Sequence, residues 1–308
     1  MSDVFRLYLS IIATWLVLAG IVLAILSWGL KRNVGNVWSI YRSWLVMIPV
    51  AMSCIYLGRV ATIVFVTALM LVACYEFSRA TNLTRDRWMM SAVLLLVGAT
   101  SLTALVHDPF QARPGWFPMF LAMPAYAIAL ILIVPVLRNK VQGQVRVVSL
   151  AIVAYVFLGW MFGHLGHLAN SPHAEGYLLF LLFAVESNDI AAFTFGKLFG
   201  RHPLRSAISP NKTWEGAIGG FGVSMALPWL LRFSFPNDFG TTQLLLTGII
   251  VGLGGQMGDL AISVIKRDLD VKDMGAAIPG HGGVLDRVDS LLFTSPFFVH
   301  MLNYFDLL

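Results

Sequence analysis

The stretch LYLSIIATWLVLAGIVLAILSWGL, residues 7–30, contains no charged side chain. As a helix rising about 1.5 Å per residue, it is long enough to cross the apolar core of a bilayer, which is about 30 Å thick. Its apolar part is too long for a signal peptide, and no small-x-small cleavage site followed by a soluble chain comes after it. The stretch therefore predicts a first membrane-spanning helix.

The rest of the 308-residue chain has the same apolar character. Hydrophobic residues make up 58 % of it and the mean hydropathy is +0.78, so this composition cannot supply the polar surface of a soluble protein. We predict an all-α integral membrane protein, a polytopic bundle of about ten transmembrane helices. The predicted segments are 7–29, 44–58, 60–76, 91–106, 117–137, 147–163, 176–196, 216–231, 244–264 and 290–306. The second and third are short, and one of them could be re-entrant.

The basic residues are distributed unevenly over the loops of this predicted topology. Seventeen of the 21 Lys and Arg residues fall on one side, and the other four are Arg6, Arg59, Arg113 and Arg232. Such a bias follows the positive-inside rule, so we predict both termini outside and the basic loops in the cytoplasm of a bacterium, with the protein in the inner membrane. The formal charge of +5 is then a consequence of topology and does not indicate a nucleic-acid partner.

Polar features divide the chain into two halves. Residues 1–175 combine apolar helices with short loops, and we interpret them as an N-terminal transmembrane scaffold. Residues 176–308 carry acids inside membrane segments, and their basic-side loops are longer and rich in Gly, Pro, Ser and Lys. We interpret this second part as the catalytic half. No internal repeat that would indicate a different organisation is visible.

Few residues of the N-terminal half are candidates for chemistry. Cys54 and Cys74 lie inside apolar segments, where small buried hydrophobes are the simplest interpretation. Glu76 ends the third helix in CYEFSRAT, and a carboxylate at a helix end is more often interfacial than catalytic. His164 and His167 could bind a metal ion, but they fall on the side opposite the basic loops.

The first polar element of the C-terminal half is ESNDIAAFTFGKLFG, residues 186–200. Glu186 and Asp189 are three residues apart and therefore share a helix face. An acid inside a membrane costs free energy and usually marks a functional site or pathway. An interfacial cluster at the helix end is the alternative, and it applies more to Glu186 than to Asp189.

The second polar element is SAISPNKTWEG, residues 206–216. Its SPN tripeptide at 209–211 has turn composition, and Asn211 or Thr213 is a candidate cap for the helix that follows. The free N–H groups at the start of that helix, together with Lys212, form a candidate anion site on the basic side. A plain helix cap with a snorkelling lysine is the alternative.

The third polar element begins with GQMGDLAISVIKR, residues 255–267. Its polar residues repeat at helical spacing and share one stripe: Gln256, Asp259, Ser263 and Lys266. A polar stripe on a membrane helix must face protein or a water-filled cavity. The glycines of GLGGQMG, residues 252–258, lie in the same helix with no strand before them, so they indicate close helix packing rather than a dinucleotide-binding loop.

The segment HGGVLDRVDS, residues 281–290, starts the last helix. Asp286 and Asp289 are three residues apart at a helix N-terminus, where carboxylates are favoured, and the His281-Gly282-Gly283 turn can direct backbone N–H groups toward an anion. Asp259 and Asp286 come from separate helices that meet the same side of the membrane, as carboxylates do when they hold magnesium together with substrate phosphates. The positive charge that a polyphosphate requires is available from Lys212, Lys266, Arg267, Lys272 and Arg287. These residues predict a metal–nucleotide site at a membrane surface.

The same residues resemble a known family signature. The pattern SVIKR at 263–267, KD at 272–273 and PGHGGVLDRVD at 279–289 is similar to the signature of phosphatidate cytidylyltransferases, also called CDP-diacylglycerol synthases. The upstream SPNKTWEG and GQMGDL segments resemble that family as well, and CYEFSRAT does so faintly. Phe193 stands where the family often has a tyrosine.

This resemblance implies that CTP and phosphatidate in the bilayer react to give CDP-diacylglycerol and pyrophosphate, with Mg²⁺ as the cofactor and a second metal ion compatible with it. It implies that the metal is bound by Asp259 and Asp286. It implies catalytic roles for Asp189, Lys266, Asp273, His281 and Asp289. It implies substrate binding by Ser209, Asn211, Lys212, Thr213, Ser263, Arg267, Lys272 and Arg287. The N-terminal half would shape the lipid site, and a homodimer is compatible with the resemblance.

Three alternatives stay open at this point. The chain could use CTP on another lipid phosphate, or it could use CTP as a phosphoryl donor to a lipid alcohol, as polyprenol-kinase-like membrane proteins do. A transporter that uses intramembrane acids is the alternative from a different class. Transporters often have repeated halves with binding groups near the middle of the membrane, whereas the polar groups here collect toward one side.

Overall fold

The computed structural model describes residues 1–29, 35–280 and 282–308, and most of them are helical. The helices are α1 Asp3–Ala24, α2 Gly35–Tyr56, α3 Arg59–Ala80, α4 Arg87–Leu105, α5 Phe117–Leu137, α6 Gln144–Val153, α7 Phe162–Leu168, α8 Ala174–Phe199, α9 Trp214–Leu230, α10 Thr241–Asp268 and α11 Leu285–Tyr304. A π-helical segment, Ile25–Gly29, extends α1, and another, Ala154–Met161, joins α6 to α7 in one rod. Two strands, β1 Pro203–Arg205 and β2 Ser209–Thr213, form an antiparallel hairpin between α8 and α9.

The described part of the chain thus contains ten helical rods, in the same order as the ten predicted segments. Eight of them are long and apolar enough to cross a membrane: Asp3–Trp28, Val37–Tyr56, Arg59–Ala80, Arg87–Leu105, Phe117–Leu137, Gln144–Leu168, Ala174–Phe199 and Thr241–Asp268. The other two are α9, which has only 17 residues, and α11, whose first turns carry two aspartates and an arginine. The protein is therefore an all-α, multi-pass membrane protein, as the sequence predicted.

The second and third helices are longer than the sequence suggested. Both α2 and α3 contain 22 residues, so the prediction that they are short is wrong, and each is long enough to cross a membrane. A prediction from hydropathy alone makes α2 too short because its first turns include Ser39 and Arg42. It shortens α3 because that helix continues past Glu76 to Arg79.

Polar contacts at the helix ends distinguish the two ends of the bundle. On the side of the basic loops, Asp86 accepts a hydrogen bond from Arg138 at 2.6 Å and lies 3.5 Å from Lys140. At the opposite end of the bundle, Arg59 donates to the carbonyl oxygen of Ala104 at 2.8 Å. Arg138 and Lys140 therefore lie at the end of the bundle opposite Arg59, as the alternation of the loops predicted.

The N-terminal half packs mainly through apolar and aromatic side chains. Cys74 is fully buried, as predicted, whereas Cys54 is only half-buried because it lies near the end of α2. His164 and His167 are buried around Phe120, with ring centroids 4.7 and 4.1 Å from the phenyl ring, and His167 Nε2 shares a hydrogen bond with Thr103. They lie at the end of the bundle opposite the basic loops, where they contribute to packing.

The C-terminal half packs more tightly because glycines line its helix contacts. On α10, a Cβ atom on Gly254 would come within 3.1 Å of Thr294 in α11, and one on Gly258 would overlap the backbone of Asp289. The predicted role of this glycine run in close helix packing is confirmed. It brings the polar stripe of α10 directly beside the start of α11.

Candidate active site

The polar stripe of α10 faces the interior of the C-terminal half. Ser263 Oγ donates to Asp259 Oδ1 at 3.1 Å, one turn away on the same helix. Gln256 Nε2 donates to the carbonyl oxygen of Ala217 in α9 at 2.9 Å. The stripe thus contacts protein rather than lipid, as the cost of exposing polar groups to a bilayer requires.

Lys212 reaches Asp259 from the β-hairpin. Its Nζ donates to Asp259 Oδ2 at 2.5 Å, and both side chains are partly exposed. The hairpin can present this lysine because β2 leads directly into α9, where Thr213 caps the helix by accepting from the N–H of Gly216 at 3.2 Å. The predicted cap at Thr213 is therefore confirmed.

The prediction of a turn at SPN is wrong, because residues 209–211 form most of β2. The turn lies just before them, and Ile208 there accepts a hydrogen bond from Arg267 Nε at 3.1 Å. Arg267 thus holds the hairpin to the end of α10. Ser209 is half-buried and Asn211 is exposed.

Lys266 makes the second ion pair of the site, with α11. Its Nζ donates to Asp286 Oδ1 at 3.1 Å and lies 3.9 Å from Asp289 Oδ2. Its side chain is only 12 % exposed, and Asp286 and Asp289 are 4 % and 7 % exposed. A buried charge is tolerated only when it is paired, so these three residues depend on one another.

The loop between α10 and α11 folds around Asp286. Its Oδ2 accepts the backbone N–H groups of Met274 and Gly283, each at 2.9 Å. Gly282 has φ +81°, a conformation that favours glycine, and a Cβ there would contact Asp286 and Asp273. The first glycine of HGG is thus required by backbone geometry and by the nearby carboxylates.

The loop residues predicted around Asp286 differ in their positions. Lys272 and Asp273 are exposed, although the stem of Asp273 lies beside Gly282. Ile278 N–H donates to the carbonyl oxygen of Gly282 at 2.8 Å and closes the turn. His281, which the sequence assigned to the site, lies outside the described residues.

A further carboxylate enters from α8. Asp189 Oδ2 accepts from Ser290 Oγ of α11 at 3.1 Å, and Asp189 interacts electrostatically with Asp259 and Asp289. Its neighbour Asn188 is fully buried and accepts from Ser224 of α9 at 3.1 Å. Four helices, α8 to α11, therefore contribute to one polar interior. Sequence reasoning did not identify Asn188 or Ser290, although both are polar residues within apolar helices.

Arg287 supplies an unpaired donor to this interior. Its buried Nε has no hydrogen-bond partner within the described residues, and its charge acts on Glu186 and Asp289. An unsatisfied buried donor costs free energy, and the planar guanidinium fork fits the oxygens of a phosphate. Arg287 is therefore suited to hold an anion.

One contributor comes from the N-terminal half, and the sequence analysis misjudged it. Glu76 of α3 is 6 % exposed and accepts the backbone N–H groups of Val284 at 3.1 Å and Leu285 at 2.9 Å. It therefore caps the start of α11 rather than lying at the interface. The acid near the end of an apolar helix in CYEFSRAT made Glu76 a candidate, but nothing near it in sequence indicates its partners at Val284 and Leu285.

The carboxylates of the site are chemically suited to a hard cation. Asp259 accepts two hydrogen bonds and Asp286 three, and a carboxylate offers about four lone-pair positions. Magnesium is usually held by one or two carboxylates together with substrate phosphates. No group of three or more His, Cys, Asp or Glu side chains in the described part of the chain is placed to hold a metal by itself. The aspartate pair fits magnesium only with a phosphate to complete its ligands.

The sequence of the chain is similar to known proteins. A sequence model of the cytidylyltransferase family matches residues 38–305. The uncharacterized protein YnbB of Escherichia coli (strain K12) is 32 % identical over 300 residues, which cover 94 % of this chain and 95 % of that protein.

Two relatives carry a more specific name. A phosphatidate cytidylyltransferase of Staphylococcus haemolyticus (strain JCSC1435) is 40 % identical over 159 residues, and one of Staphylococcus aureus (strain COL) is 39 % identical over 161 residues. In both cases the match covers 52 % of this chain and 60 % of the relative. The similarity to these named enzymes thus extends over about half of the chain.

Proposed function

The chain belongs to the cytidylyltransferase family, whose members are nucleotidyltransferases, and from this premise we propose that it transfers the cytidylyl group of CTP to phosphatidate. The products would be CDP-diacylglycerol and pyrophosphate, and the reaction would serve phospholipid biosynthesis. The Staphylococcus relatives support the choice of lipid because they are named phosphatidate cytidylyltransferases. Because the members of this family are enzymes, we no longer retain the transporter alternative.

The proposed reaction is a nucleophilic displacement at phosphorus. A phosphate oxygen of phosphatidate forms a bond to the α-phosphorus of CTP, and the bond from that phosphorus to the oxygen bridging to the β-phosphate breaks. Pyrophosphate leaves with that oxygen. Because both reactants are anions, the protein must mainly position them and neutralise their charge.

The single observation that carries the proposal is the pair of Lys–Asp contacts converging on one interior. Lys212 reaches Asp259 from the hairpin, and Lys266 reaches Asp286 across the α10–α11 contact. Each ammonium group could exchange its carboxylate for a phosphate oxygen when the nucleotide enters. Arg287 would bind a further phosphate through the donor that is unpaired within the described residues.

Magnesium would be held by Asp259 and Asp286 together with the phosphates, and it would supply further neutralisation of the triphosphate. Ser263 would orient Asp259 for this role, and Lys212 would then contact the phosphate. Met274 and Gly283 would orient Asp286 through their N–H groups. Of the other predicted site residues, Asp189 and Asp289 border the same interior, while Lys272 and Asp273 would meet substrate only from the exposed loop.

The side of the membrane is part of the proposal. We place the basic loops and the site in the cytoplasm, where CTP is available, in the inner membrane of a bacterium. Reporter fusions after Lys140 and after Arg205 should be active as cytoplasmic fusions, and a fusion after Leu308 should behave as external. A cytoplasmic signal at Leu308 would contradict ten membrane crossings.

Product analysis tests the reaction directly. Purified protein, magnesium, labelled CTP and a panel of lipid phosphates should give CDP-diacylglycerol and pyrophosphate in equal amounts from phosphatidate. Turnover of a different lipid phosphate in preference to phosphatidate would keep the cytidylyl transfer and change the substrate. Release of CDP in place of pyrophosphate, with a lipid alcohol as acceptor, would overturn the proposal in favour of a lipid kinase.

A further inference from the structure

A buried carboxylate of the N-terminal half, that of Glu76, contacts the end of the loop between α10 and α11. The two carboxylate oxygens of Glu76 accept two successive N–H groups, those of Val284 and Leu285, at 3.1 and 2.9 Å. The start of a helix leaves such N–H groups without intrahelical partners. A carboxylate there also interacts favourably with the helix dipole.

The second glycine of the HGG sequence fits between Glu76 and Asp286. A Cβ on Gly283 would overlap the carboxylate of Glu76, while the N–H of Gly283 donates to Asp286 Oδ2. Gly275, near the middle of the loop, also lies against Glu76 with no room for a Cβ. Glu76 thus contacts the loop that surrounds Asp286 at two places, near its middle and at its end.

Three consecutive N–H groups, of residues 283 to 285, are therefore shared between two carboxylates. Asp286 takes the first, and Glu76 takes the second and third. Without Glu76, the second and third N–H groups would lose their partners, and a backbone N–H shielded from water without a partner is unfavourable. The loop would be expected to move to recover partners, and Asp286 would move with it.

We propose that Glu76 is a positioning residue, which holds the loop and the first turn of α11 so that Asp286 is placed for the reaction. This proposal depends on the proposed function only for the role of Asp286 in the reaction. That Glu76 holds the loop follows from its contacts alone. It also gives the N-terminal half a direct role in the site, in addition to lining the membrane.

The test compares Glu76→Ala and Glu76→Gln with Asp86→Ala. Asp86 is the matched control because it is another buried carboxylate at the basic end of the same half, 8 % exposed, but it pairs with Arg138 and not with the loop. The full-length protein in detergent is used for every measurement. Hydrogen–deuterium exchange is followed in peptides covering residues 274–287, and Mn²⁺ binding in the presence of CTP is followed by the loss of free Mn²⁺ signal.

Glu76→Ala should speed exchange in the 274–287 peptides and weaken Mn²⁺ binding by roughly 10–100-fold, as changes to outer-shell partners of metal ligands do. Glu76→Gln keeps one acceptor oxygen and should lie between Glu76→Ala and the unchanged protein. Asp86→Ala should lower thermal stability without changing either readout. Unchanged exchange and Mn²⁺ affinity in a folded Glu76→Ala protein would overturn the proposal.

A second variant guards against loss of fold in Glu76→Ala. Gly275→Ala should push against the Glu76 carboxylate and weaken Mn²⁺ binding, and adding Glu76→Ala should cause little further loss because the two residues share one contact. Independent, additive effects would overturn the proposal. If exchange responds as expected while phosphatidate and CTP give no product, the positioning of the loop is supported and the proposed function fails.

Discussion

The two halves of the chain differ in where their charged side chains lie. In residues 1–175 the ion pairs of the described residues lie at helix ends, as Asp86 does with Arg138 between two loops. In residues 176–308 acids lie on the helices themselves, with Asp189 in α8 and Asp259 in α10. A charge inside a membrane is costly unless it is paired or faces a polar cavity. The second half therefore bears more of this cost than the first, whose buried helix acid Glu76 accepts two backbone N–H groups of the second half.

The comparison teaches where chemistry can occur in this protein. Of the ion pairs described in the N-terminal half, Asp3–Arg6 is exposed within α1, and the buried Asp86 caps α4 and joins two loops through Arg138. In the C-terminal half, lysines from the hairpin and α10 neutralise acids on neighbouring elements, and Arg287 retains a buried donor without a partner among the described residues. Closely spaced, mutually dependent charges are suited to bind a polyphosphate.

The largest effect is expected at the two proposed metal ligands. Asp259→Asn and Asp286→Asn each keep the size of the side chain and remove the charge that holds the ion. Because that charge stabilises the reacting phosphates by several kcal/mol, turnover of CTP should fall by about 10³-fold or more. Initial rates at saturating magnesium, on protein shown to be folded, measure the loss.

The control for this prediction lies on the same side of the membrane. Asp268 ends α10 and is exposed, so Asp268→Asn removes an equal charge close to the site without removing a contact inside it. Its rate should stay within a factor of about two, as is usual for a surface charge. Near-normal magnesium-dependent rates in both Asp259→Asn and Asp286→Asn would show that the C-terminal charges do not form the metal site.

A smaller effect is expected at Arg287, where the comparison can be sharpened. Arg287→Lys keeps the positive charge near Glu186 and Asp289 but loses the planar fork of donors. If Arg287 binds a phosphate through that fork, kcat/KM for CTP should fall roughly 10–100-fold. Steady-state kinetics with varied CTP measure it. An unchanged kcat/KM would mean that Arg287 only balances the acids, as Arg138 does in the N-terminal half.

Much of the fold could be predicted because apolar segments alternate with charged loops along the whole chain. The order of ten helices and the two groups of loops followed from apolar runs and from the positions of Lys and Arg. The lengths of α2 and α3 did not, since polar residues such as Ser39 and Arg42 continue those helices beyond the apolar stretch. The hairpin was missed because SPN reads locally as a turn, whereas pairing with Pro203–Arg205 makes it a strand.

The site was most predictable where its residues lie close together in sequence. The spacing of Asp259, Ser263 and Lys266 placed them on one face of a helix, and the structure shows them there. Glu76 could not be assigned in this way, because its partners lie more than 200 residues away, at Val284 and Leu285. Which acid caps which helix depends on the packing of α3 against α11, and no local pattern encodes it.

The smallest effect on activity is expected at Asp86, where a change should alter stability alone. Asp86 caps α4 by accepting the N–H of Met89 at 3.2 Å and pairs with Arg138. Burial alone would raise the pKa of Asp86, but the hydrogen bonds from Arg138 and Met89 and the charges of Arg138 and Lys140 lower it below its usual value. Removing the side chain should cost about 1–3 kcal/mol of folding free energy, from the cap and the buried pair.

The pH dependence of that cost identifies its origin. Because the pKa of Asp86 is lower in the folded protein, its contribution is fully present above the usual aspartate pKa of about 4 and is lost as the pH falls toward the lowered value. The difference in melting temperature between the unchanged protein and Asp86→Ala should therefore be constant from about pH 7 to pH 5 and shrink below about pH 4. Asp86→Asn keeps a cap oxygen and should show the smaller loss. CTP turnover at neutral pH should be unchanged in both variants. A large drop in turnover, measured on folded protein, would show that the charges of the N-terminal half also serve the reaction.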